Sequence, residues 1–150
     1  MSENIKDKYL ALDFGLKRIG VAISDENKLI AFPRDYFKNE RGILEKIIDL
    51  AKAENVSKII IGLPLNFKSQ ETDITKKAKE FGDKLFKTIK LKKINIDIVF
   101  FDERLTSSLA KTKMISSDYN RKSRKEKGTL DSLSAQIILQ DYLDKQKIIY

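Results

Sequence analysis

The chain has 150 residues with a formal net charge of +8, 41% hydrophobic and 35% charged residues, which suits one soluble globular domain rather than a disordered chain. It contains no cysteine and no histidine. Disulfides, thiolate metal sites and a Ser-His-Asp triad are therefore excluded, and any catalysis must rest on carboxylates, hydroxyls, lysines or a hard metal ion. The basic balance favours polyanionic partners such as nucleic acid, although a lysine-rich composition alone has the same effect.

In chain order, residues 8–13 form a short apolar strand ending in Asp13. Residues 18–25 alternate, with Ile19, Val21 and Ile23 on one face, as a half-buried strand requires. The polar turn "DENK" (25–28) leads to a third strand at 29–37, so 8–37 reads as an antiparallel meander. Ile43, Leu44, Ile47, Ile48 and Ala51 recur at helical spacing over 40–54. "KIIIGLPL" (58–65) reads as a buried strand, 71–89 as a helix and "NIDIVFFDE" (95–103) as a further strand. A helix is expected in "RLTSSLAKTKMI", followed by the basic loop 119–128 and a last helix at 129–146. The order β-β-β-α-β-α-β-α-α predicts one domain, 1–150, of the α/β class: a mixed five-stranded sheet with helices on its faces. No apolar run approaches the ~20 residues of a membrane span. The polar N-terminus has no signal-peptide core, so a cytoplasmic protein is expected.

Ligands of such sheets gather beyond the carboxyl ends of the parallel strands. That selects Asp13, the Asp102–Glu103 pair, and Asp131 in the first turn of the last helix, at the head of the stripe Ala135, Ile138 and Tyr142. Converging carboxylates repel one another, and a divalent cation relieves that cost. Mg²⁺ and Mn²⁺ favour such oxygen ligands, and two-metal sites cleave phosphodiesters. Lys17 and Arg18, just past Gly15, are placed to meet phosphates, with Gly15 letting the turn bend and a substrate approach. Arg104, and Arg121, Lys122 and Arg124 in the basic loop, are further candidates. Each residue also has a plainer role: Asp13 as a turn residue, Asp131 at a helix dipole, Glu103 and Arg104 as a surface ion pair, and the cations as solvated charge.

Four blocks, "LALDFGLKRIGVAISD" (10–25), "IIIGLPLN" (59–66), "FDERLTSSLA" (101–110) and "LDSLSAQIILQDYL" (130–143), resemble the YqgF/RuvX family. These proteins are described both as pre-16S rRNA nucleases and as Holliday junction resolvases. The resemblance implies an RNase H-like fold and a hydrolase of phosphodiester bonds that uses Mg²⁺ or Mn²⁺ to mature the 5′ end of precursor 16S rRNA in the cytoplasm. It carries the catalytic, metal-binding carboxylates onto Asp13, Glu103 and Asp131. The family's Gly-containing turn after "GLPLN" is replaced here by "FKSQET". Two alternatives stand beside it: a junction resolvase acting on branched DNA, and a non-catalytic RNA-binding assembly factor. A nucleotide phosphotransferase is disfavoured, because no Gly-rich phosphate loop is present. The strands carry no aromatic-rich base-stacking motif, so recognition by backbone charge and shape is expected. A monomer is expected over a dimer.

Overall fold

The structure, a computed structural model, describes residues 6–64, 70–102 and 127–146, and only the backbone at 127–131. The strands are β1 (Lys8–Asp13), β2 (Arg18–Ser24), β3 (Ala31–Lys38), β4 (Val56–Leu63) and β5 (Asp97–Asp102). They form one mixed sheet in the order β3-β2-β1-β4-β5. β1 pairs antiparallel with β2, as β2 does with β3, while β1, β4 and β5 run parallel. The helices are α1 (Ile43–Ala53), α2 (Asp73–Leu91) and α3 (Lys127–Gln146). The helix expected at 104–115 and the basic loop lie outside the described residues. Among the described residues no helix is long and apolar enough to cross a membrane.

The side-chain period of two assigns each strand residue to one of two cores. Leu10, Leu12, Ile19, Val21, Ile23, Ile59 and Ile61 pack against Ile43, Ile47 and Ile48 of α1 and Phe81, Leu85 and Ile89 of α2. The opposite face presents smaller residues, Ala11, Ala22 and Ala31, with Ile60 and Phe101, to Ala135, Ile138, Leu139, Tyr142 and Leu143 of α3. α3 therefore lies close over the meander.

Polar contacts fix the course of α3. Gln140 Nε2 donates to the Leu29 carbonyl at 2.9 Å, and its Oε1 accepts from Ala31 N at 2.9 Å. One turn earlier, Gln136 Nε2 donates to the Ala31 carbonyl at 3.0 Å. Tracing α3 towards its N-terminus thus moves from Leu29 to Ala31, the direction in which β3 runs. At the far end, Lys58 Nζ donates to Tyr142 Oη at 3.0 Å and lies 4.8 Å from the Tyr9 ring centroid. Burial alone would push the Lys58 ammonium down, but Tyr142 and Tyr9 outweigh it and raise it above its ordinary value.

Several boundaries differ from those expected, for local reasons. β3 starts at Ala31 rather than 29 because Asp25 Oδ1 accepts from Leu29 N at 2.7 Å and Ile30 N at 2.9 Å, holding both in the turn. Burial pushes the Asp25 carboxyl up, yet the amides of Ile30, Leu29 and Asn27 leave it below its usual value. α1 begins at Ile43 rather than 40, after Gly42 at φ 87°. α2 starts behind a capping box of Thr72 and Thr75 and runs on to Leu91. α3 starts at Lys127, two residues earlier than expected. It runs through Gly128, a substitution for alanine that costs a helix interior about 1 kcal/mol. β5 begins at Asp97 rather than 95 and is described as far as Asp102.

Two predictions concern what holds these layers. Tyr142→Phe leaves a half-buried ammonium without its hydroxyl and should cost about 1–2 kcal/mol in urea unfolding. Glu54, at the end of α1, accepts from Lys8 at 3.2 Å and Arg34 at 3.3 Å. The Lys8 hydrogen bond, and Arg34 after it, outweigh burial and hold the Glu54 carboxyl below its usual value. A carboxyl lowered on folding stabilises above its unfolded pKa, and that contribution is lost as pH falls through the folded value. The stability gap between the protein and Glu54→Gln should therefore be open at neutral pH and close below about pH 4. A gap unchanged at low pH would refute the assignment.

Candidate active site

Asp13 ends β1, the middle strand of the sheet. It stands in register with Gly20 of β2 on one side and Gly62 of β4 on the other. Neither neighbour puts a side chain beside this half-buried carboxylate, and both glycines are buried. By alternation from Ala11, Asp13 belongs to the face covered by α3. Phe14 turns to the opposite face and packs on Phe81 of α2, with ring centroids 5.3 Å apart. The end of β1 is thereby anchored on the α1–α2 side.

The parallel strands bring a second acid to the same edge. Gly62 pairs with Phe101, and Leu63 with Asp102. Asp13 and Asp102 are thus two strands apart, about 10 Å at ordinary strand spacing. They do not share a face. Phe101 packs under α3, whereas Phe100 on the other side fills the space over Gly82 of α2. Asp102 has the parity of Phe100. Of the acids adjoining the end of β5, Asp102 is therefore turned away from Asp13. Glu103, Arg104, Arg121, Lys122 and Arg124 lie outside the described residues.

Position 131 lies one turn before Ala135 in α3. The expected placement in the first helical turn is corrected: α3 begins at Lys127, and its first turn carries no acid. The helix dipole acts within the first turn, so it does not account for an acid at 131. The neighbouring Ser132 was missed by sequence reasoning. Its hydroxyl is buried on the sheet side of α3 and has no hydrogen-bond partner among the described residues.

The turn between β1 and β2 is tightly built. A Cβ at Gly15 would sit 2.4 Å from the Arg18 carbonyl oxygen. The Gly15 carbonyl accepts from Asn39 Nδ2 at 2.8 Å, and Asn39 N donates to the Lys17 carbonyl at 2.9 Å. The bend expected at Gly15 is present, but the space above it is taken by the chain's own backbone rather than left for a substrate. Lys17 is exposed at the tip of the turn, and Arg18 opens β2 on the face of Gly20 and Asp13. Arg18 thus lies on the carboxylate's face of the sheet, and Lys17 lies in the turn that joins the two strands.

Comparison with known proteins decides the family. Residues 7–145 match the family described as "RuvX: Holliday junction resolvase". The chain belongs to the RuvX family. Among its relatives, a Sulfurihydrogenibium sp. protein is 46% identical over 138 residues, covering 92% of this chain and 90% of its own length. One from Malacoplasma penetrans is 34% identical, covering 97% of this chain and 99% of its own length. Both carry the name "Putative pre-16S rRNA nuclease". Among solved structures, Thermus thermophilus RuvC in complex with a Holliday junction superposes with a TM-score of 0.56 at 6% identity, covering 93% of this chain and 95% of that one. The yeast mitochondrial Holliday junction resolvase gives 0.58 at 10% identity, covering 94% of this chain and 79% of that one. At such identities the likeness is one of fold: this RuvX protein is RNase H-like, as its motifs imply.

A substitution isolates the turn from the chemistry. Gly15→Ala should cost roughly 1–3 kcal/mol, as overpacking does. Because the displaced atom is backbone, it should also move Lys17 and Arg18. Unchanged thermal stability of Gly15→Ala would contradict the close approach described here.

Proposed function

We propose that this RuvX protein is a single-domain, cytoplasmic, metal-dependent nuclease that hydrolyses phosphodiester bonds at the 5′ end of precursor 16S rRNA. The observation that carries the reading is the place of Asp13: a carboxylate between two glycines, on the α3 face, at the edge where β1, β4 and β5 all end. A plain turn residue needs neither the flanking glycines nor the cations of the turn at Lys17 and Arg18.

In this reading Asp13, Glu103 and Asp131 are the catalytic carboxylates. Two features support the choice of partners. Strand parity turns Asp102 away, which leaves its chain neighbour Glu103. The course of α3 carries its N-terminal end along β3 towards the edge that holds Asp13. The donor set is oxygen only, in a chain without histidine or cysteine, and fits Mg²⁺ or Mn²⁺ rather than a softer metal. Ser132 adds an oxygen beside position 131 that has no partner among the described residues. When bound by the three acids, such a cation offsets their mutual repulsion, activates the attacking water and stabilises the leaving oxygen. Lys17 and Arg18 hold the substrate backbone against the β1–β2 turn. Arg104, Arg121, Lys122 and Arg124 are assigned further phosphate contacts, which would make binding fall steeply with salt.

The test gives the protein and Asp13→Asn end-labelled precursor 5′ fragments and, separately, a four-way DNA junction, with Mg²⁺, Mn²⁺ or chelator. Cleavage of the RNA should require metal. It should fall in Asp13→Asn by more than the ~10–100-fold typical of losing an outer-shell partner, with binding nearly retained. Symmetric cutting of the junction in preference to the RNA would move the activity to resolvase chemistry and call for a two-fold dimer. Equal loss of binding and cleavage would refute the role of Asp13.

A further inference from the structure

The pairing of β2 with β3 contains an extra residue. Ile19 is opposite Phe37 and Val21 is opposite Arg34, so Asp35 and Tyr36 together face the single Gly20. Such a bulge re-aims side chains. Val21 lies in the α1–α2 core, and Arg34, on that side, reaches Glu54 of α1. In an unbroken strand Tyr36 would share the Arg34 face. With the bulge it lies on the other one, where Arg18 Cζ stands 6.0 Å from its ring centroid. Arg18 has the parity of Gly20, and Gly20 pairs with Asp13. The row Asp13, Gly20, Tyr36 therefore crosses three adjacent strands with only a glycine between the carboxylate and the ring. At normal strand spacing that is roughly 10 Å.

The surroundings of Tyr36 have the character of a nucleic-acid groove. It is 39% exposed and Leu16 is 59% exposed. Together with Lys17, Arg18, Lys38 and Asn39 they line an open groove of about 330 Å³, bordered by Glu40, which is itself paired to Lys46. An aromatic face, an apolar side chain and three cations in one groove offer stacking and phosphate contacts together, the combination by which proteins hold unpaired strands. A duplex keeps its base faces stacked inside and cannot use the ring.

Resting on the nuclease reading above, we propose that Tyr36 stacks on an unpaired base of the substrate strand beside the phosphate brought to Asp13, with Lys17, Arg18 and Lys38 along its backbone. The site then selects a single-stranded segment. This departs from recognition by charge and shape alone: the aromatic comes from the edge strand of the meander and is turned towards the carboxylate's face by one extra residue.

The test measures binding in chelator, so that no cleavage intervenes. A fluorescein-labelled unstructured RNA oligonucleotide, the same strand with one abasic position, and a blunt RNA duplex are titrated with the protein, Tyr36→Ala and Tyr36→Phe. Tyr36→Ala should weaken binding to the intact single strand by roughly 5- to 100-fold, Tyr36→Phe should retain it, and duplex binding should be the same for all three. The Tyr36→Ala defect should shrink on the abasic strand. Equal weakening for single strand and duplex would reduce Tyr36 to a support for Arg18, and no weakening at all would remove it from the site; either overturns the proposal. Metal-dependent cleavage lost in Asp13→Asn would in those cases still uphold the nuclease reading, so the two fail separately.

Discussion

The structure depends on the unequal faces of β1. Leu10 and Leu12 point to one side, Ala11 and Asp13 to the other. Large residues on the first side meet the apolar stripes of α1 and α2, and small ones on the second admit α3. A one-residue slip of β1 would exchange the faces, at a cost of about 1.5–3 kcal/mol for each large side chain removed from its core. The alternation that builds the cores also sets the position and facing of the carboxylate. Stability and site are fixed by the same register.

Glycine does at this edge what alanine does deeper in the sheet. Gly20 and Gly62 flank Asp13 on the neighbouring strands and put no side chain beside it. Gly15 has the opposite role, because the place of its missing Cβ is filled by the Arg18 carbonyl. Two glycines keep side chains from beside the carboxylate and one closes the turn that carries the cations. The bulge opposite Gly20 adds a ring to the same surface from an edge strand. That strand's Ala31 carbonyl and amide are meanwhile held by Gln136 and Gln140 of α3.

Much of this could be read from the chain because its signals are local. The alternation of 18–24, the apolar run 59–61 and the helical spacing of 43–51 each depend on near neighbours, and each element is present. Boundaries were read less well where a side chain competes with the backbone ladder, as Asp25 does for Leu29 and Ile30. Gly128, expected at the end of the basic loop, is the second residue of α3. Of the site, the choice of Asp13, Lys17 and Arg18 came from the end of one strand and the turn after it.

The sequence by itself determined which residue types could act, an oxygen-ligand, histidine-free chemistry on a basic protein, together with the strand that ends in Asp13 and the motifs that mark the family. Tertiary structure alone decided that β1 lies at the centre, that Gly20 and Gly62 stand on either side of Asp13, that Asp102 faces away, and that Tyr36 lies on the carboxylate's face. The physical reason is range. Propensity and periodicity report a residue's neighbours within a turn or a strand, whereas strand register and a bulge are set by pairing between separate strands, where a single extra residue reverses the face a side chain presents.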